Sequence, residues 1–65
     1  MPEEYHVITP IEEQWVDSRG EVREVVGRYM QTERASLARV RVVRMPEGRV
    51  GMGEPLSPAE FWQEP

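Results

Sequence analysis

Three apolar runs separated by turn chemistry dominate the chain: Glu21–Met30, Leu37–Met45 and Arg49–Met52. In the middle run, Ala38, Val40 and Val42 alternate with Arg39 and Arg41. A period of two predicts a half-buried strand, with valines toward a core and arginines facing outward. The alternation slips at Val43-Arg44, which predicts a bulge or an exposed Val43. Upstream, Tyr5-His6-Val7-Ile8 predicts a short strand. Thr9-Pro10 ends it, because proline lacks a ladder donor and holds the preceding residue extended. Gln14–Val16 predicts a further strand, with Trp15 assigned to the core. Asp17-Ser18-Arg19-Gly20 follows with the residues of a type I turn.

Glu21–Met30 supports two structures. Its valines and Tyr29 are strand formers, and Gly27 within a strand suits a bulge or bend. This predicts a strand after the Asp17–Gly20 turn. The same residues also carry a helical stripe: Val22, Val25, Val26, Tyr29 and Met30 stand at i, i+3, i+4, i+7 and i+8. Ser18 with Glu21 has capping-box spacing, and Glu24 with Arg28 is a favourable i,i+4 pair. The helical alternative spans residues 19–35.

Gln31–Ser36 is polar and reads as a loop. Met45-Pro46-Glu47-Gly48 reads as a second turn, and Arg49–Met52 as the returning strand. Ser57-Pro58-Ala59-Glu60 is a helix start: serine cap, proline in the first helical position, glutamate closing a capping box. A helix of one to two turns, Pro58–Gln63, then lays Phe61 and Trp62 on the sheet. The fold class expected is mainly β: an antiparallel meander, or a partly open SH3-like barrel, of four to five strands with a short C-terminal helix. The alternative is α+β.

Length bounds the rest. Sixty-five residues make one small domain, 1–65, with a marginal core. Cysteine is absent, so no disulfide or thiolate metal site reinforces it. No apolar run approaches a membrane span, and Met1-Pro-Glu-Glu lacks the features of a secretion signal. A cytoplasmic location and no membrane partner are therefore expected.

Charge is unevenly spread. Residues 1–27 carry seven acids against two arginines, residues 28–49 six arginines against two acids, and residues 50–65 three acids. All eight basic residues are arginine, whose planar fork suits carboxylate and phosphate. Arg39 and Arg41, extended by Arg28 and Arg49, form the candidate partner-binding row. Its bland counterpart is a solvated sheet face. Glu12, Glu13 and Asp17 form a candidate acidic face that suits a basic partner surface. The bland counterpart there is solubility.

Catalytic chemistry has little to build on. Ser18, Ser36 and Ser57 have turn, loop and cap roles, and His6 lies near an end where fraying is expected. Adjacent carboxylates on a strand point to opposite faces, so Glu12 and Glu13 do not share a site. One histidine makes no zinc site. The glycines at 48, 51 and 53 lack the strand and long helix of a phosphate cradle. No enzyme activity, cofactor or metal is expected.

The succession Trp15-Val-Asp-Ser-Arg-Gly20, a valine-rich strand, Arg-Val-Arg-Val and Ser57-Pro-Ala-Glu-Phe-Trp62 resembles short prophage-encoded proteins of SH3-like shape. The resemblance spans about 50 residues. It implies a mobile-element accessory protein and no activity. Val25-Val26-Gly27-Arg28-Tyr29 is also similar to a strand of the plasmid-borne type II dihydrofolate reductases. Their Val-Gln-Ile-Tyr pore motif would fall near Val50–Gly53, where this chain departs at three of four positions, so reductase activity is not implied. The function expected is a non-enzymatic protein-binding module, such as a phage or mobile-element modulator or inhibitor of a host protein. The alternative is a nucleic-acid-binding module using the arginine row. It is disfavoured because the rest of the chain is acidic and duplex binding needs many phosphate contacts. A homo-oligomer that completes the core is the third expectation.

Overall fold

A single helix lies across one face of a four-stranded antiparallel sheet in the computed structural model, which describes residues 4–46 and 51–63. The strands are β1 (Glu4–Ile8), β2 (Glu13–Val16), β3 (Arg41–Met45) and β4 (Glu54–Leu56), and the helix is α1 (Arg19–Met30). The spatial order is β2-β1-β3-β4. The fold is thus mainly β with a helix. It is not a simple meander, because α1 carries the chain from β2 across to the far side of β1. The sheet is open and not closed into a barrel.

The segment with two supported structures is helical, which corrects the strand expected at Glu21–Met30. Burial decides between them. Val22, Val25, Val26 and Tyr29 are all buried and Met30 is half-buried. A strand would have put Val22, Glu24, Val26 and Arg28 on one face and mixed charge into the core. The expected turn at Asp17–Gly20 is instead the helix start. Ser18 Oγ accepts from the Glu21 N–H at 3.2 Å, and the Glu21 carboxylate accepts from the Asp17 N–H at 3.2 Å. Those bonds satisfy donors that a helix start leaves without intrahelical partners. Gly27 is not a strand bulge. It faces the Trp62 indole, and a Cβ there would stand 3.0 Å from Trp62 Cζ3. The expected i,i+4 charge pair of Glu24 with Arg28 is felt at Arg28, whose hydrogen bonds go to a more distant carboxylate, described below.

The core is the space between α1 and the sheet. Tyr5 and Val7 from β1, Val40 and Val42, the helix stripe and Phe61 fill it. Phe61 meets Tyr5 edge-on, with centroids 6.2 Å apart, a favoured geometry for aromatic pairs. Ser57 and Glu60 form the expected capping box, but the element it starts is one 3-10 turn, Pro58–Glu60. The strand expected at Leu37–Met45 is shorter at its amino end. Leu37–Arg39 is a 3-10 turn capped by Ser36, and β3 begins at Arg41. Val43 sits in regular register opposite His6, without a bulge. The turn expected at Met45–Gly48 and the strand expected at Arg49–Met52 fall largely outside the described residues. Gly51 and Met52 are not in a strand, and β4 starts at Glu54.

Candidate functional site: the helix-free face of the sheet

Strand register defines the face that α1 leaves uncovered. Directly opposed residues in an antiparallel pair share a face. Tyr5 and Val7 point to the helix, so Glu4, His6 and Ile8 point away. Trp15 lies opposite His6, and Glu13 opposite Ile8. Across β1, Val43 lies opposite His6 and Arg41 opposite Ile8. Pro55 lies opposite Val43. The outer face therefore reads, from β2 across, as Glu13–Ile8–Arg41 in one row and Trp15–His6–Val43–Pro55 in the next.

Trp15 is the dominant feature, and its place corrects the expected core position. It is 40% exposed. Trp15 and Val16 are consecutive strand residues, so only one can face the helix, and Val16 does. The indole stacks on the His6 imidazole, with centroids 4.0 Å apart and planes 5° from parallel. Glu13 Oε2 holds the other side of that ring through His6 Nε2 at 2.5 Å. His6 is thus fixed in the central strand rather than near a frayed end. Together, Glu13 and the imidazole hold the indole flat against the sheet and set which way it faces.

The arginine row does not assemble as expected. Arg39 belongs to the 3-10 turn and Arg41 to β3, so they do not share a strand face. Arg28 stands on α1, where its guanidinium grips Glu12 through Nε at 2.8 Å and Nη2 at 2.9 Å. Arg49 lies outside the described residues. Arg41 remains exposed on the outer face, and among the described residues it has no carboxylate partner. The acidic trio is also divided. Glu12 goes to Arg28 and Glu13 to His6, while Asp17 contributes its backbone to the start of α1.

The Glu12–Arg28 fork has a readable electrostatic consequence. Hydrogen bonding to Arg28 holds the Glu12 carboxyl below the usual carboxylate range, and Glu12 raises Arg28 in return. A carboxylate depressed in the folded state contributes stability above its unfolded pKa and loses it as pH falls through the folded value. Replacing Arg28 with glutamine should move the Glu12 titration upward, toward the unperturbed range, in a carboxyl-detected NMR titration. An unchanged midpoint would show that the fork does not set it.

A second concavity runs along α1. An open groove of about 510 Å³ is lined by Gly20, Arg23, Glu24, Gly27, Arg28, Gln31 and Trp62. Among the described residues the buried Trp62 Nε1 finds no hydrogen-bond partner there. Of the groove's charged groups, Arg28 is already held by Glu12. The face of Trp62 covers Gly27. Among the described residues no cluster of metal-ligating side chains occurs, and no helix is long and apolar enough to cross a membrane.

Comparison with protein-family models, with curated proteins and with solved structures finds no match to this chain.

Proposed function

We propose that the chain is a small protein-binding module without catalytic activity of its own, and that its contact surface is the helix-free face of the sheet. The observation that carries this is Trp15. Folding buries the aromatic side chains of the helix face, yet leaves this indole on a sheet face that no other described element covers. An exposed, rigidly held tryptophan among aliphatic neighbours, with arginine and glutamate at the rim, is the composition of an interface hot spot. His6 and Glu13 immobilise the ring before a partner arrives, which lowers the ordering cost of binding. The sequence resemblance to prophage proteins supports a narrower reading, in which the partner is a host protein that the module modulates. The nucleic-acid alternative has less support, since Arg28 is paired with Glu12 and Arg39 and Arg41 stand on separate elements.

The test compares tagged native chain with Trp15→Ala and Trp62→Ala as baits for captured protein, untagged copies of the chain included. Native and Trp62→Ala should retain the same stoichiometric partner, and Trp15→Ala should lose it by tenfold or more, as a hot-spot truncation of about 2 kcal/mol does. Loss with Trp62→Ala but not with Trp15→Ala would move the site to the α1 groove and overturn the reading.

A further inference from the structure

The outer face is self-complementary about its central strand. β1 has β2 on one side and β3 on the other, and at the level of Ile8 those neighbours carry opposite charges. Glu13 stands on β2 and Arg41 on β3, roughly 10 Å apart at ordinary strand spacing. One row along, Trp15 stands on β2 and Val43 on β3, a large ring and a small branched side chain flanking His6. A two-fold axis lying over this face and parallel to β1 exchanges the β2 side for the β3 side at every level. It brings Glu13 over the second copy's Arg41, Trp15 over its Val43, and Ile8 over Ile8. Both charge pairs are made at once, because a two-fold contact repeats every interaction.

We propose that the helix-free face binds a second copy of this chain about such an axis, with Glu13 of each copy paired to Arg41 of the other. This rests on the reading of that face as the contact surface and names its partner. Three further observations favour it. Arg41 has no carboxylate partner among the described residues of its own chain. Among the described residues Glu13 is held by His6 alone, and its side chain keeps 60% exposure. A domain of this size gains the most from burying one more apolar layer. Sheets packed face to face lie about 10 Å apart, within reach of the Ile8, His6 and Trp15 side chains. Four short strands present only a few hundred Å² per copy, below the roughly 800 Å² per side of a standard interface. The association is therefore weak.

The experiment is the solution mass, by sedimentation from micromolar to millimolar concentration, of the native chain, Glu13→Arg, Arg41→Glu and an equimolar mixture of the two variants. Circular dichroism confirms that each variant is folded. Glu13→Arg opposes Arg41 of its own second copy, and Arg41→Glu opposes Glu13, so each alone should stay monomeric. Mixed, they restore both opposite-charge pairs and should dimerise as the native chain does. A native chain that stays monomeric to millimolar concentration overturns the second-copy proposal, and the capture comparison with Trp15→Ala still decides whether the face serves another protein. A native dimer that both single variants retain overturns the arrangement. If that dimer also survives Trp15→Ala, the assignment of the contact surface fails with it.

Discussion

Replacing Tyr5 with alanine should leave most of the chain unfolded at physiological temperature. Tyr5 is 1% exposed and lies at the centre of the sheet, where its ring meets Phe61 edge-on. Truncating a buried aromatic side chain costs about 3–5 kcal/mol, from lost transfer energy and the cavity left behind. A folded domain holds roughly 0.05–0.15 kcal/mol per residue, which for this length comes to about 3–10 kcal/mol. One side chain thus carries a share comparable to the whole margin. The substitution also undoes more than the sheet, because Phe61 loses the ring that docks the C-terminal turn. Urea unfolding followed by tryptophan fluorescence reads the loss. Tyr5→Phe keeps the ring and should stay folded. A Tyr5→Ala chain with a near-native midpoint would mean that the core lies elsewhere.

Gly53→Ala should destabilise by about 1–3 kcal/mol, the usual cost of forcing an extra carbon into a filled space. Gly53 precedes β4, and the side chains of Val43 and Met45 lean over the place where its Cβ would be. An added Cβ would come within 2.3 Å of Val43 Cγ1 and 2.7 Å of Met45 Sδ. Methionine can move away, but a branched valine held between His6 and Pro55 in the sheet register has few ways to do so. The matching control is Gly20→Ala, on the exposed first turn of α1. Its Cβ would meet nothing closer than Ser18 Oγ at 3.9 Å. There the helix preference for alanine should add a few tenths to about 1 kcal/mol. Opposite signs at the two glycines, read from denaturant midpoints, are the expected result. Equal effects would show that close approach is not what keeps glycine at position 53.

The first two strands and the second half of Leu37–Met45 were legible in the sequence, while β4 was not. Tyr5–Ile8 and Gln14–Val16 lie within β1 and β2, and the alternation of Val40 and Val42 with Arg41 reports their true faces. The C-terminal cap was legible because its serine, proline and glutamate act on their own backbone and need no tertiary partner. The helix was harder. Valine and tyrosine favour strands locally, and only the full stripe from Val22 to Met30, together with a core on one side, outweighs that preference. Gly27 misled for the same reason, since the indole that occupies the space beside it comes from position 62, far along the chain.

The site was less legible than the fold. Trp15 looked like core because large aromatic residues usually are. Arg39 and Arg41 looked like one row because the alternation continues through Leu37–Val40, where Ser36 instead caps a turn. The partners that divide the charges, Glu12 with Arg28 and Glu13 with His6, are set by how α1 lies against β2 and by the β1–β2 register. One signal was present from the start. A strand in which Glu13 and Trp15 share one face cannot turn that face toward an apolar core without burying a carboxylate.

The central claim is that the helix-free face, and not the groove along α1, is where this protein meets its partner. The most direct measurement is a dilution series followed by NMR, with backbone amides and the tryptophan indole N–H signals assigned. Concentration-dependent shifts should fall on Ile8, Glu13, Trp15, Arg41 and Val43, and the Trp62 indole should stay still. Shifts confined to Arg23, Gln31 and Trp62 would contradict the claim and place the contact on α1.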